Sequence, residues 1–224
     1  MIKYAIVVAG GSGSRMGTKV PKQFLLLNQL PVLYYTLNSF FNAYEDIRLV
    51  LVLPADHLQA GKELANIHFK NKNIRITTGG ETRFQSVKNG LMFVEEESIV
   101  FVHDGVRCLV SEQLIRRCYD MALATGSAIP VIPSRDSVRL LKDEYNEPIN
   151  RNEVLLVQTP QTFHSKILIP AYQVDYKDKF TDEATVVEAY GLKVSLVEGE
   201  EENIKITKPV DLVIAETLLA KNPG

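Results

Sequence analysis

Hydrophobic positions along the chain fall into short continuous runs separated by segments with helical spacing. Five runs have the length of buried strands, at 2–9, 47–53, 74–77, 99–103 and 128–132. Runs without alternation are typical of parallel strands that are covered on both faces. The segments between them carry apolar residues three or four positions apart, which predicts helices near 32–41, 82–93 and 111–124. Strand and helix alternate, and this indicates a βαβ sheet with right-handed crossovers.

The pattern changes between residues 134 and 157. Segments 137–141 and 154–157 read as two strands joined by a polar turn, and a two-stranded projection is only marginally stable alone. We therefore expect this arm to lean on a second subunit. Beyond the arm, the alternation predicts helices at 181–191 and 207–219 and strands at 193–197 and 203–207. The whole chain, residues 1–224, is interpreted as one domain that carries the arm.

Composition excludes several classes of function. The 224 residues are 46% hydrophobic and carry a net charge of −2, so no basic surface predicts a nucleic-acid partner. Cys108 and Cys118 lack the spacing of a zinc site, which favours a reduced, cytoplasmic setting. The sequence shows no signal-peptide pattern and no apolar run of the roughly 20 residues that a membrane span needs.

A glycine-rich loop, residues 9–17, follows the first strand and is followed by Lys22. Its glycines let backbone N–H groups approach phosphates, and Arg15 and Lys22 add two cations seven positions apart. The glycine spacing is one residue too long for a dinucleotide fingerprint, and the lysine stands in the wrong place for a Walker loop. The loop therefore indicates chemistry on a nucleoside triphosphate, with the cations stabilising charge at phosphorus.

Three further motifs carry candidate chemistry. A glycine turn at 79–80 leads into a helix that places Ser86 in its first turns, where it can face the edge of a base. Asp104 and Arg107 follow a strand at the edge where open α/β sheets bind ligands, and they suit a metal-bound water or hydroxyl and a sugar phosphate, respectively. Lys205 stands between two isoleucines, so a strand there directs it to the opposite face.

With these motifs in this order, the whole chain resembles the 2-C-methyl-D-erythritol 4-phosphate cytidylyltransferases of non-mevalonate isoprenoid synthesis. The resemblance implies an α/β fold, with a Rossmann-like, mostly parallel twisted sheet of the nucleotide-diphospho-sugar transferase type. It also implies a homodimer formed through the 134–157 arm. The implied reaction joins CTP to 2-C-methyl-D-erythritol 4-phosphate and releases pyrophosphate, with Mg²⁺ as cofactor and without nucleic-acid or membrane partners.

The resemblance also assigns roles to individual residues. Those implied in catalysis are Arg15, Lys22, Arg151 and Lys205. Those implied in nucleotide binding are Ala9, Gly10, Gly11, Gly13, Gly80, Glu81, Ser86 and Asp104. Those implied in binding the sugar-alcohol phosphate are Asp104, Arg107, Ser137, Arg151, Thr159, Thr181 and Lys205. Mg²⁺ is expected on the CTP phosphates with Asp104 as a possible ligand, and Arg151 is expected to reach the neighbouring subunit's site.

Three alternatives remain open at the level of sequence. Ribitol 5-phosphate cytidylyltransferases share the fold and chemistry, but their motifs resemble T-D-A-C and N-L-K-I-T, whereas this chain has Thr181-Asp-Glu-Ala and Asn203-Ile-Lys-Ile-Thr. A non-catalytic CTP-binding regulator is a second alternative, although sensing does not require transition-state cations. A dehydrogenase is a distant third. One position departs from the family, since Cys108 stands where a proline is usual.

Overall fold

A computed structural model describes residues 1–10, 20–95 and 97–221. Its main sheet has eight strands: β1 (Ile2–Val8), β4 (Arg48–Leu53), β5 (Ile74–Thr78), β6 (Ser98–Asp104), β7 (Ser127–Pro133), β10 (Leu155–Val157), β11 (Gln161–His164) and β12 (Leu196–Glu198). Two small hairpins pair β2 (Leu26–Leu27) with β3 (Leu30–Pro31) and β8 (Val138–Leu141) with β9 (Asn146–Ile149). The helices are α1 (Val32–Ala43), α2 (Leu58–His68), α3 (Arg83–Leu91), α4 (Glu112–Thr125), α5 (Ser165–Ala171), α6 (Glu183–Ala189) and α7 (Pro209–Lys221).

The main sheet is mostly parallel, as predicted. Its order is β10-β7-β11-β6-β1-β4-β5, with β12 beside β7. The strands β6, β1, β4 and β5 run parallel to one another, because a helix crosses over between each pair that is consecutive in the chain. The strand β11 was not predicted. It lies antiparallel between β6 and β7 and joins the two halves of the sheet.

Helices cover both faces of the sheet, which explains why the parallel strands are apolar throughout. On one face, α1 and α4 bury residues such as Leu37 and Leu114 against β1 and β6. On the other face, α3 and α6 bury Phe84 and Val187 against the same strands. Phe84 also stacks on Tyr172 of the segment after α5, with ring centroids 4.8 Å apart. The two layers hold the carboxyl ends of the strands in a fixed arrangement.

Local signals begin and end the helices where the sequence predicted. Thr82 caps α3 in a capping box with Gln85, and Ser111 caps α4 by accepting from the N–H of Leu114. Asp182 forms the capping box that begins α6. The turn after α6 has Gly191 at a φ of 96°, a left-handed conformation that glycine adopts without strain.

The strand pairing predicted for the arm is wrong. Segment 137–141 does not pair with 154–157: β8 pairs with β9 across a turn in which the N–H of Lys142 donates to the carbonyl of Tyr145. The strand β10 returns to the main sheet beside β7. A two-stranded arm therefore exists, but its second strand lies within the segment predicted as the polar turn.

The segment 203–207 is not a strand, and the strand predicted at 193–197 is shorter and lies at 196–198. Backbone groups of residues 203–207 form hydrogen bonds that are not part of a β-ladder. The carbonyl of Asn203 accepts from Arg107, and the N–H of Ile206 donates to the carbonyl of Val106. Within the part of the chain that is described, none of the helices combines the length and apolar character needed to cross a membrane.

Candidate active site

Two adjoining cavities open at the carboxyl ends of β1, β5 and β6. The larger, here called cavity A, has a volume of about 430 Å³ and is lined by the ends of all three strands, including Gly10, Gly80 and Asp104. The smaller, cavity B, has a volume of about 210 Å³ and includes Arg107 and Thr181. The edge of an open α/β sheet at its strand carboxyl ends is where ligands bind in such folds.

Three residues line both cavities and form the wall between them. They are Arg83, Asp104 and Lys205. With Lys22 in cavity A and Arg107 in cavity B, four of the described lining residues are cations. Such a concentration of positive charge suits a ligand with phosphates on both sides of one wall.

Asp104 is the centre of this wall. Its Oδ1 accepts from Nη1 of Arg83 at 2.6 Å, and its Oδ2 accepts from Nε of Arg107 at 3.2 Å and from Nζ of Lys205 at 3.1 Å. Burial by itself would raise the pKa of Asp104, but the three surrounding cations outweigh burial and hold that pKa well below its usual range. The carboxylate is therefore ionised at neutral pH and orients the cations on both sides.

Arg83 is held from behind by a second carboxylate. Its Nε and Nη2 donate to the two oxygens of Glu183 at 3.0 and 2.9 Å, and Glu183 has no exposed surface. The hydroxyl of Tyr172 also donates to Glu183, at 3.4 Å. Burial by itself would lower the pKa of Arg83. The carboxylates of Glu183 and Asp104 raise that pKa by more than burial lowers it, so the guanidinium stays charged.

His103 supports the site without facing it. Its ring is fully buried, with Nε2 3.2 Å from the carbonyl of Arg107 and Nδ1 3.0 Å from the hydroxyl of Thr159. Since a carbonyl only accepts, Nε2 carries the proton and Nδ1 accepts from Thr159. The Thr159 oxygen in turn accepts from the N–H of Asp104 at 3.1 Å. Burial lowers the pKa of His103 to about 3, as expected for a packing residue rather than a base.

The entrance to cavity A is tied together by side chains that bond to backbone carbonyls. Lys22 begins a 3₁₀ turn, Lys22–Phe24, and its Nζ donates to the carbonyl of Ile206 at 3.0 Å. Gln23, in the same turn, donates to the carbonyl of Ala9 at 2.8 Å. These bonds place the start of the glycine loop, the Lys22 turn and the segment around Lys205 beside one another.

The turn after β5 forms the opposite side of cavity A. The N–H of Gly80 donates to Oγ of Ser86 at 3.1 Å, and that hydroxyl donates to the carbonyl of Thr82 at 2.9 Å. A Cβ atom at Gly79 would lie 2.9 Å from Oγ of Ser86, so the turn packs directly on that hydroxyl. Glu81 lines the cavity beside them.

A model of the IspD family, 2-C-methyl-D-erythritol 4-phosphate cytidylyltransferase, matches residues 3–221 of this chain. The chain belongs to this cytidylyltransferase family. A cytidylyltransferase of that name from Phocaeicola vulgatus is 47% identical over 219 residues, which is 98% of this chain and all of that protein.

Solved structures of cytidylyltransferases of this family have the same fold. The 4-diphosphocytidyl-2C-methyl-D-erythritol synthase of Anaerococcus prevotii superposes with a TM-score of 0.84 at 30% identity, covering 98% of each chain. The 2-C-methyl-D-erythritol 4-phosphate cytidylyltransferase of Thermus thermophilus superposes with a TM-score of 0.75 at 30% identity, covering 96% of this chain and 98% of that one. The predicted α/β fold class is therefore confirmed.

The structure of this cytidylyltransferase family member brings together most of the predicted site residues. Cavity A is lined by Ala9, Gly10, Lys22, Gly80, Glu81, Ser86, Asp104 and Lys205. Cavity B is lined by Asp104, Arg107, Thr159, Thr181 and Lys205. Gly11, Gly13 and Arg15 lie outside the described residues.

Two predicted site residues, Ser137 and Arg151, are not part of either cavity lining. Both are exposed on the arm, and Nη1 of Arg151 donates to the carbonyl of Arg135 at 3.2 Å. Among the described residues of one chain, neither cavity lining includes these two side chains.

Neither the Arg83–Glu183 pair nor the contact of Gln161 with the start of α6 was predicted from the sequence, although the polar segment 158–163 was expected to line the cleft and Gln161 does line cavity B. Gln161 donates to the Asp182 side chain at 2.9 Å and accepts from the N–H of Ala184 at 2.8 Å, so it connects β11 to the start of α6. The only sequence signal for the pair was two charged residues in the first turns of predicted helices, which normally indicates capping or solvated charge. A hundred residues separate the partners, and no local pattern encodes that contact.

Proposed function

We propose that this protein transfers the cytidylyl group of CTP to 2-C-methyl-D-erythritol 4-phosphate, giving 4-diphosphocytidyl-2-C-methyl-D-erythritol and pyrophosphate. The observation that carries this proposal is the wall shared by two cavities in a chain of this family. Cavity A has the volume and the phosphate-binding elements for a nucleotide, and cavity B offers a cation and hydroxyls for a smaller phosphate.

The proposed reaction brings two anions together. A phosphate oxygen of the sugar alcohol attacks the α-phosphorus of CTP, the new P–O bond forms, and the bond to the β-phosphate oxygen breaks with its electron pair leaving on pyrophosphate. The attacking phosphate is already ionised, so no strong base is required, which agrees with the neutral, buried state of His103. Catalysis is then positioning and charge stabilisation by Lys22, Lys205 and Arg107.

Each of these cations occupies a place suited to that task. Lys205 stands on the shared wall, 3.1 Å from Asp104, where it meets both phosphates. Lys22 lies at the entrance of cavity A beside the glycine loop, where it faces the triphosphate. Arg107 lies in cavity B, where it holds the sugar phosphate. Arg15 completes this set in our proposal, on the basis of the resemblance alone.

The donors present fit Mg²⁺ only as an ion carried by the nucleotide. Among the described residues, no cluster of three or more His, Cys, Asp or Glu side chains is placed to hold a metal. Asp104 offers one ionised carboxylate to cavity A, and Mg²⁺ in such enzymes is commonly held by one or two carboxylates together with substrate phosphates. When bound, the ion would neutralise charge on the triphosphate.

The direct test is turnover by the purified protein. CTP and Mg²⁺ are mixed with 2-C-methyl-D-erythritol 4-phosphate or with ribitol 5-phosphate, and pyrophosphate release is followed. Release with the first acceptor alone supports the proposal. Release with ribitol 5-phosphate alone would identify the alternative enzyme, and CTP binding without release would identify a regulator.

We extend the proposal to a homodimer formed through the arm at 134–157. Apolar side chains on the arm and its base are exposed in the single chain: Leu141 is 82% exposed and Tyr145 60%. Exposed apolar groups on a two-stranded projection need a covering surface, and a second copy of the chain supplies one. In that dimer, Arg151 serves the neighbour's cavity B.

Mixing two inactive variants tests this assembly. Lys22→Ala disables a chain's own site, whereas Arg151→Ala disables the site that the chain completes in its neighbour. A mixed dimer then contains one intact site, so random exchange restores roughly a quarter of wild-type activity. Mixtures that stay inactive although co-purification through two different affinity tags shows exchanged dimers would contradict the role of Arg151. A monomer at assay concentration, measured by light scattering, would contradict the dimer.

A further inference from the structure

Glu183 is a buried carboxylate for which the proposed reaction has no direct use. It lies in the first turn of α6, has no exposed surface and is not among the described residues that line either cavity. Burial raises its pKa, and the Arg83 guanidinium offsets part of that cost through two hydrogen bonds of 3.0 and 2.9 Å.

The pair does more than neutralise a buried charge. An ion pair in the interior is weak evidence for stability, because well-packed apolar residues of similar volume often serve equally well. Phe84 and Val187, which lie on the same two helices as the pair, are packed in the apolar core. An apolar replacement would lose the fixed orientation of the guanidinium, because two parallel hydrogen bonds fix its plane.

Once that plane is fixed, the third donor of Arg83, Nη1, points to Asp104. Its Nη1 meets Oδ1 of Asp104 at 2.6 Å, which leaves Oδ2 for Lys205 and Arg107. Glu183 therefore lies one residue behind the wall between the cavities, and the hydrogen bonds of Arg83 connect its carboxylate to that wall.

We propose that Glu183 is a positioning residue: acting through Arg83, it sets the orientation of Asp104 and thereby places Lys205 and Arg107 for the two phosphates. This inference rests on the function proposed above. It differs from a catalytic role because Glu183 touches neither reactant.

Turnover of Glu183→Gln is the first test, with Glu188→Gln as matched control on the exposed side of the same helix. The amide keeps the volume but cannot accept both bonds of the guanidinium. We expect kcat to fall about 10- to 100-fold, because small displacements of charge-stabilising groups cost that much, while KM for CTP changes less than about threefold. The control should retain wild-type constants.

A double variant separates action through Arg83 from a general structural effect. If Glu183 works through Arg83, adding Glu183→Gln to Arg83→Gln lowers kcat no further. Arg83→Lys supplies a second route should the buried glutamine prevent folding. Lysine keeps the charge but lacks the planar fork, so Arg83→Lys should also lower kcat about 10- to 100-fold.

The nitrogen NMR signal of the Arg107 side chain reports the same geometry without turnover. Arg107 contacts Asp104 through Oδ2, so its Nε–H signal should shift in Glu183→Gln and stay in place in Glu188→Gln. Full turnover by folded Glu183→Gln, additive losses in the double variant, or an unmoved Arg107 signal would overturn the inference. A wild-type protein that releases no pyrophosphate would instead refute the proposed function, and the NMR comparison would then decide the positioning role alone.

Discussion

Acidification is expected to destabilise this protein through one buried imidazole, that of His103. Nδ1 of the ring accepts a hydrogen bond from Thr159, and Nε2 donates one to the carbonyl of Arg107. A proton added at Nδ1 would break the hydrogen bond from Thr159 inside the core. Burial holds the pKa of His103 at about 3, compared with 6.5 for an exposed histidine. The unfolded chain therefore binds a proton between these two values that the folded chain does not.

This difference in proton binding makes the free energy of unfolding depend on pH. Stability from the neutral ring is fully present above pH 6.5 and is lost as pH falls toward 3. Between pH 6.5 and 5, the limiting slope is about 1.4 kcal/mol per pH unit, so His103 alone removes about 2 kcal/mol from the free energy of unfolding by pH 5.

Urea unfolding of the wild type and of His103→Gln, followed by circular dichroism at pH 7.5, 6 and 5, measures this effect. Glutamine retains a donor for the Arg107 carbonyl and does not titrate, so the gap between the two proteins should narrow by about 2 kcal/mol as pH falls from 7.5 to 5. If the free energies of unfolding of the two proteins changed in parallel with pH, the proposed effect of His103 would be refuted. A His103 ring signal that titrates near pH 6.5 in the folded protein would refute it independently.

Three further outcomes are expected. Lys22→Ala should lower kcat by about a hundredfold or more while the thermal unfolding midpoint changes little, because a charge-stabilising donor is lost at a partly exposed position; normal turnover would exclude that role. Gly90→Ala should cost about 1–3 kcal/mol in urea unfolding, since the new Cβ would lie 2.6 Å from Cγ2 of Ile6; unchanged stability would show that α3 can shift. Cys108 and Cys118 should resist iodoacetamide at pH 8 until the protein unfolds, because burial raises both thiol pKa values to about 12; rapid labelling detected by mass spectrometry would contradict this.

Sequence patterns predicted those parts of the fold that depend on local signals. Continuous apolar runs correspond to β1, β4, β5, β6 and β7 within one or two residues, because a strand buried on both faces leaves an unmistakable composition. Helix starts at Thr82, Ser111 and Asp182 were also predictable, since a capping side chain acts within its own turn.

Strand pairing between distant segments was harder to predict from the sequence. In the arm, β9 is Asn-Glu-Pro-Ile, and three of its four residue types are depleted in strands, so propensity favoured β10 rather than β9 as the partner of β8. The segment at 203–207 has the alternation of a strand, but its backbone groups bond to Arg107 and to a loop carbonyl. Tertiary partners decided both cases, and a sequence window does not contain them.

The same division applies to the site. Lys22, Asp104, Arg107 and Lys205 were predictable as a group, since each stands in a motif and two of these three motifs lie at the ends of β1 and β6. Their support was not: Glu183 lies a hundred residues from Arg83, and its position at the start of a helix has an ordinary explanation. Residues that act through another side chain leave no signature in spacing.

The wall shared by cavities A and B has a practical consequence for inhibition. A compound that spans Asp104 and occupies both cavities competes with both reactants at once. Two weak fragments joined across this wall would also gain from effective concentration, which can add a factor of about 100 or more when the linker matches the span. Bisubstrate ligands are therefore the natural starting point for blocking this enzyme family member.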